Sequence, residues 1–340
     1  MTAAALDALD AAPRLELGHW PTPLEPCTRL RDEIGGPLVW LKRDDCSGLA
    51  IGGNKTRKLE YLLGRAMADG CSGAITFGAL QSNHARQTAA ACNRAGLTCD
   101  LILTRAVDRS DEHYLRSGNL LLDRVLGATV HVVEDPDAAF VLFAELLEAA
   151  ERAGRRLYGI GPGGSDPIGT LGYVRAALEL AEQLDARGVR ASRLVLATST
   201  AGTAAGLALG THLAGVDVDL DVACVYHDAT ATAGELTGLI AGTAERLGAE
   251  VPPRRWSVDD SPLGGGYGVP SAEGHEAIEL LARSEGVLLD PVYTAKAFGL
   301  LVRRIRDGEL ADETDVVFLH TGGSPGLFAY ASEWSARTPT

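Results

Sequence analysis

The sequence predicts an α/β protein in which parallel sheets are joined by crossover helices and two lobes share a cleft. Three observations lead there. Short β-rich runs alternate with longer helical patterns along the chain. The length, 340 residues, exceeds that of one ordinary compact domain. Polar, glycine-containing segments follow directly on strand-like runs, where open α/β sheets bind their ligands.

In chain order, the first strand pattern is Leu38-Val39-Trp40-Leu41, followed by a helical pattern over 53–69. Ala74-Ile75-Thr76-Phe77 leads into helix 83–95, Leu101-Ile102-Leu103 into helix 111–126, and Val130-His131-Val132-Val133 into helix 136–153. Strand 156–160 precedes helix 168–187, Leu194 to Ala197 precedes helix 203–214, and strand 218–226 precedes helix 231–247. Helices 271–285 and 295–307, the strand Val316 to Leu319 and a short helix from about 325 complete the series. The Pro/Gly-rich stretches 161–169 and 261–270 are short enough to be loops bordering the cleft. No fixed-period repeat interrupts the pattern.

Composition narrows the class. With 46% hydrophobic and 22% charged residues the chain can bury a large core. A formal charge of -14 argues against nucleic acid or an anionic membrane as partner, so a bound anion needs a local trap. Cys27, Cys46, Cys71, Cys92, Cys99 and Cys224 form no CxxC pair and no Cys/His metal spacing, which favours reduced thiols, no metal site and a cytoplasmic location. Asp7 and Asp10 interrupt the alanine-rich start and no basic residue precedes it, unlike a secretion signal. The most apolar later stretch, Ala197 to Val216, is built of small residues and holds His212, so it reads poorly as a membrane span.

Four segments carry chemistry. Gly52-Gly53-Asn54-Lys55-Thr56-Arg57-Lys58 follows Lys42-Arg43-Asp44-Asp45, and its glycines let the backbone approach a ligand at a helix start. Lys55 and Lys58 share one helix face, although cations suit the opposite helix end and the bland reading is a solvated basic turn. Gln81-Ser82-Asn83-His84-Ala85-Arg86-Gln87 opens a helix with six polar side chains, and capping by Ser82 or Asn83 accounts for only one of them. Ser199-Thr200-Ala201-Gly202-Thr203 places hydroxyls and successive N–H groups at a helix start, an anion nest lacking the GK[ST] of a Walker loop. Asp290-Pro291-Val292-Tyr293-Thr294 and His320-Thr321-Gly322-Gly323-Ser324 bring a tyrosine and a threonine toward strand ends, where the bland alternatives are a core aromatic and a turn cap.

In the order KRDD, GGNKTRKLE, QSNHARQ, GGS at 163–165, GYGVP at 266–270, DPVY and HTGG, the chain resembles the fold-type-II pyridoxal 5′-phosphate (PLP) enzymes of the aminocyclopropane-carboxylate deaminase and D-cysteine desulfhydrase family, over residues 14 to 330. The resemblance implies a tryptophan synthase β-like fold, with two open, twisted, mostly parallel sheets flanked by helices. A discontinuous large cofactor-binding domain would span 1–59 and 168–340, and a small domain 60–167. It implies PLP as cofactor, with Lys55 as the Schiff-base lysine and proton carrier, Lys58 and Ser199, Thr200, Ala201, Gly202 and Thr203 at the phosphate, Asn83 beside the ring O3′, and Thr321 at the ring nitrogen. Ser82, Tyr267 and Tyr293 match catalytic or substrate-side positions, with His84, Gly164, Ser165 and Thr294 expected around the substrate.

The departures concern the substrate. The phosphate loop begins with Ser199-Thr200 where relatives are richer in glycine, Asp166 stands where Asn is expected, and Tyr226-His227-Asp228 has no counterpart in the desulfhydrases. The deaminases carry Glu after the motif tyrosine, whereas desulfhydrase-like members have Thr or Ser, as at Thr294. The expected activity is therefore elimination of a thiol, sulfite or halide from the β- or γ-carbon of a small amino acid by a homodimer. The alternatives are a β-replacement synthase, a 1-aminocyclopropane-1-carboxylate deaminase and a PLP-binding sensor without turnover.

Overall fold

The computed structural model describes residues 3–335, so residues 1–2 and 336–340, the ends of the expected large domain, lie outside the described residues. Strands β1 (Leu24–Pro26), β2 (Leu38–Arg43), β7 (Arg193–Thr198), β8 (Asp219–Cys224), β9 (Trp256–Asp259) and β10 (Asp315–His320) form a sheet in the order β1-β2-β10-β7-β8-β9. Strands β3 (Gly73–Ala79), β4 (Thr98–Thr104), β5 (Thr129–Val133) and β6 (Leu157–Ile160) form another in the order β5-β4-β3-β6. Every pairing is parallel except that of β1 with β2. Two such sheets flanked by helices are the expected fold class.

The apolar runs explain the layering. In β7, β8 and β10 the residues from the second position onward are buried, as in strands covered on both faces. The C-terminal strand β10 is threaded into the middle of its sheet, with Phe318 opposite Leu41 on one side and Val195 on the other. Phe318 also meets Phe298 of helix Thr294–Arg306 edge-on at 5.0 Å. Each such buried ring contributes about 1.5–3 kcal/mol of transfer free energy. The threading places Thr321 at the sheet centre, where its carbonyl accepts Asn54 N–H at 2.9 Å, one residue before Lys55.

Some elements go beyond the sequence pattern. Helices Ala3–Ala11 and Thr28–Ile34 and strands β1 and β9 had no counterpart in it. β1 is three residues long and ends in Pro26, which an edge strand tolerates because one side of it needs no ladder donor. The expected helix 111–126 is two helices, Glu112–Arg116 and Gly118–Val125. Gly118 has φ of 61°, and a Cβ there would come within 2.5 Å of Gln81 Oε1. Tyr114 and Leu120 nonetheless share one core cluster, so the apolar pattern runs across the break. Of the cysteines, only Cys46 is exposed. Among the described residues no helix is long and apolar enough to cross a membrane.

Candidate active site

Loops after the carboxyl ends of β3, β4, β7, β8 and β10, together with the start of helix Lys55–Ala68, line one cavity of about 350 Å³. The turn before Lys55 is built for close approach. A Cβ on Gly52 would lie 1.9 Å from the Asp45 carbonyl oxygen. Ahead of it, Ala50 and Ile51 hold positive φ, a strained conformation for such residues. The buried Arg86 guanidinium pins this loop by donating to the carbonyls of Ala50 and Gly52. Gln87 adds a second tie, its Oε1 accepting Thr56 N–H at 3.0 Å. Arg86 and Gln87 of the QSNHARQ segment thus hold the lysine-bearing turn.

Lys55 reaches the cavity with no hydrogen-bond partner among the described residues, and burial lowers its pKa to about 8. The ammonium of Lys58 is buried and donates to Gly163 O at 3.1 Å and Ser165 Oγ at 2.9 Å, both neutral acceptors. Burial, then the nearby Lys55 charge, pushes Lys58 well below the ordinary lysine value. Facing them is the Ser199–Thr203 loop, where Ala201 adopts φ of 51° and starts helix Gly202–Ala214. A Cβ on Gly202 would stand 2.8 Å from Lys58 Nζ. Cations without an ion-pair partner, free helix N–H groups and the close backbone approach at Gly202 make an anion cradle.

Residues 15–322 match the protein family described as pyridoxal-phosphate dependent enzyme. The chain belongs to this family. Its cofactor is accordingly pyridoxal 5′-phosphate, whose phosphate suits the cradle and whose aldehyde suits an unpaired, desolvated lysine. Among solved structures, the chain is similar to the crystal structure of an ACC deaminase homologue, at 38% identity over 99% of this chain and 100% of that one, with TM-score 0.89. It shares the fold of a pyridoxal 5′-phosphate-dependent aspartate racemase, at 15% identity over 95% of each chain with TM-score 0.65. It also shares that of the processed form of threonine deaminase isoform 2 from Solanum lycopersicum, at 17% identity over 94% and 88% of the two chains with TM-score 0.64.

The other side chains of this PLP enzyme's cavity have fixed orientations. Asn83 Oδ1 accepts Asn119 Nδ2–H at 2.9 Å, which leaves the Asn83 amide N–H groups for a ligand. Ser82 Oγ accepts Ala85 N–H at 3.2 Å as helix cap and keeps its own proton to donate. The Thr321 hydroxyl makes no protein hydrogen bond among the described residues. The Thr76 hydroxyl donates to Ile160 O at 2.8 Å, so His84 Nε2, 2.9 Å from that hydroxyl, is the donor of the pair. His84 Nδ1 is then a buried acceptor without a partner, and burial plus the two lysines holds the ring neutral, well below its usual pKa. Tyr267 and Tyr293 join hydroxyl to hydroxyl at 2.5 Å. Burial pushes Tyr267 up to about 12 and Tyr293 well above its usual value, so both stay protonated at neutral pH, one donating within the pair and the other keeping its proton for a ligand.

Three expected substrate residues do not line the cavity: Gly164, Ser165 and Thr294. Ser165 lies behind the cradle, bonded to Lys58 and, at 2.7 Å, to Thr200 Oγ1. Thr294 is fully buried, its hydroxyl donating to Asp290 Oδ1 at 2.7 Å and accepting Asp290 N–H at 2.8 Å. Asp166, the departure from Asn, caps helix Pro167–Arg187 through the N–H groups of Ile168 and Gly169. Sequence reasoning missed Asn119 and Glu235. Glu235 lies inside helix Ala229–Leu247 with no local motif around it, and only the fold brings it to the cavity beside His227.

Proposed function

We propose that this PLP enzyme is a lyase that eliminates a β- or γ-leaving group from a small amino acid. The observation that carries this reading is that the carboxylate beside the tyrosine pair, Asp290, does not line the cavity and is taken up by the N–H groups of Val292, Tyr293 and Thr294 and by the Thr294 hydroxyl. Among the described residues Glu235 is the sole carboxylate lining the cavity, and the Thr294 hydroxyl is held by Asp290. Expelling a leaving group calls for a donor to that group, which neutral Tyr267 and Tyr293 provide. Opening a cyclopropane ring calls for matched proton delivery and removal at neighbouring carbons, work worth about 100- to 10,000-fold when a positioned carboxylate performs it.

In this reading Lys55 holds the cofactor and afterwards moves the proton at the substrate Cα, its lowered pKa leaving a substantial fraction as neutral amine near pH 8. Lys58 and residues 199–203 hold the phosphate, Asn83 donates to the ring oxygen, and Thr321 meets the ring nitrogen as a neutral hydroxyl. Bound PLP supplies an electron sink for charge developing at Cα. Ser82 donates to the substrate carboxylate. Phe77, Ala139 and Phe140 give the cavity an apolar wall.

The test compares kcat/KM for D-cysteine, L-cysteate, β-chloroalanine, a γ-halogenated amino acid and 1-aminocyclopropane-1-carboxylate, with ammonia and keto acid as products. Turnover of at least one open-chain compound and near inactivity on the cyclopropane is expected. The cyclopropane reacting best would replace elimination with ring opening, the second reading, which the likeness to the ACC deaminase homologue favours. Products appearing only with an added nucleophile would indicate β-replacement.

A further inference from the structure

Beyond the cofactor cradle the cavity has a mouth with two unlike lips. The four-stranded side contributes Phe77, Pro136, Ala139 and Phe140, an apolar surface whose rings Phe77 and Phe140 meet at 5.3 Å. The six-stranded side contributes the end of β8 and the helix after it: Tyr226, His227 and Glu235. Tyr226 packs edge-on to Tyr267 at 5.0 Å, so this lip is continuous with the tyrosine pair. His227 meets Tyr226 edge-on at 4.3 Å and directs Nε2 to Glu235 Oε1 at 3.4 Å. The Glu235 carboxylate makes no other hydrogen bond or ion pair among the described residues.

Charge decides what such a mouth admits. The lysines lining the cavity are Lys55 and Lys58, both engaged by the cofactor, and no arginine lines it among the described residues. A carboxylate or sulfonate on a substrate side chain therefore finds no bidentate partner, the usual means of holding such groups. It meets instead the negative charge of Glu235, in a chain whose formal charge is already -14. A thiol, thioether or halide meets no such penalty and can lie against the apolar lip.

We propose that Glu235, oriented by His227, is a specificity-determining residue that rejects amino acids whose side chains end in an anion. This narrows the elimination reading, on which it rests for the nature of the reaction, to neutral leaving groups such as thiols and halides. Sulfonate-bearing substrates are disfavoured. Side-chain exposures of 37% for His227 and 41% for Glu235 mean that water screens the effect, so it is moderate.

The test uses the holoenzyme and isosteric amino acids that carry no good leaving group, so that binding is read apart from elimination. The change in the cofactor's absorption band is titrated with asparagine against aspartate and glutamine against glutamate, in both enantiomers. The amide of each pair is expected to bind about tenfold or more tightly than the acid. Glu235→Gln should narrow that gap about three- to tenfold, the influence of one charge across roughly 7 Å of partly wetted cavity. Glu235→Lys should narrow it further or invert it. Acids binding within twofold of their amides in the unaltered enzyme, or a gap that survives both substitutions, would overturn the proposal. Parallel product assays with D-cysteine and β-chloroalanine separate the two claims: no product together with an intact amide preference sinks elimination and upholds the role of Glu235.

Discussion

Arg57 and Lys58 are neighbours on one helix, both buried, yet their surroundings are opposite. Arg57 donates to both oxygens of Asp44 at 2.9 Å and to both of Glu179 at 2.9 and 3.0 Å, and lies 4.0 Å over the Trp20 ring. Lys42 joins the same cluster through Glu179 and the Thr22 carbonyl, so two cations meet two carboxylates. Lys58 has only neutral hydrogen-bond acceptors, with another lysine nearby and Asp166 acting on it through space without a direct ion pair. Charge that holds the fold is matched within the protein. Charge that serves the cofactor is left unmatched, at a helix end where cations are disfavoured by about 0.3–1 kcal/mol, until a phosphate arrives.

Substitutions can break this contrast. The largest effect is expected at Lys55→Ala, where turnover should fall by at least about a thousandfold with loss of both cofactor attachment and the proton carrier. Steady-state rates without added amine check it, and substantial activity would contradict the role of Lys55.

Arg57→Met should lower the stability of the cofactor-free protein by about 3–5 kcal/mol, because Asp44 and Glu179 lose their buried partner. Lys58→Met should leave that stability unchanged or slightly raised, yet weaken PLP retention at least about tenfold. Denaturant unfolding and equilibrium dialysis of both variants decide the matter. Similar profiles would erase the distinction between the two cations.

The distinction was only half legible in the sequence. GGNK, QSNHARQ and Ser199–Thr203 follow strand or turn signals closely, so position in the chain alone brought them to one cleft. The partners that discriminate Arg57 from Lys58 lie far away in sequence: Glu179 is on helix Pro167–Arg187, and Ser165 precedes it. Local spacing carries no trace of such pairings. Thr294 illustrates the converse, since its place after Tyr293 suggested a substrate contact while Asp290, four residues earlier, turns its hydroxyl inward. Glu235 reaches the cavity only because β8 lies beside β7.

A pH measurement sharpens the lysine side. Burial lowers Lys55 from 10.5 to about 8, and the neutral amine that attacks the cofactor's aldehyde grows as pH rises. The rate of PLP uptake by the cofactor-free protein should therefore climb about tenfold per pH unit below 8 and level off above it. Stopped-flow absorbance follows this directly. A rate still climbing steadily to pH 10 would mean an ordinary, solvated lysine.

The smallest effect is expected at Thr294→Val. Deleting the hydroxyl that bridges Asp290 should lower stability by about 1–2 kcal/mol, while KM for an open-chain substrate changes less than about threefold. Thr294→Ser should restore the stability. A tenfold rise in KM with stability intact would return Thr294 to the substrate.

The most direct measurement is borohydride reduction of the yellow holoenzyme followed by peptide mapping. The pyridoxyl group is expected on Lys55, in the tryptic peptide 44–57 that contains the glycine pair Gly52-Gly53, since the modified lysine resists cleavage. A pyridoxyl group on Lys42, Lys58 or Lys296, or on no lysine at all, would contradict the account of this cavity.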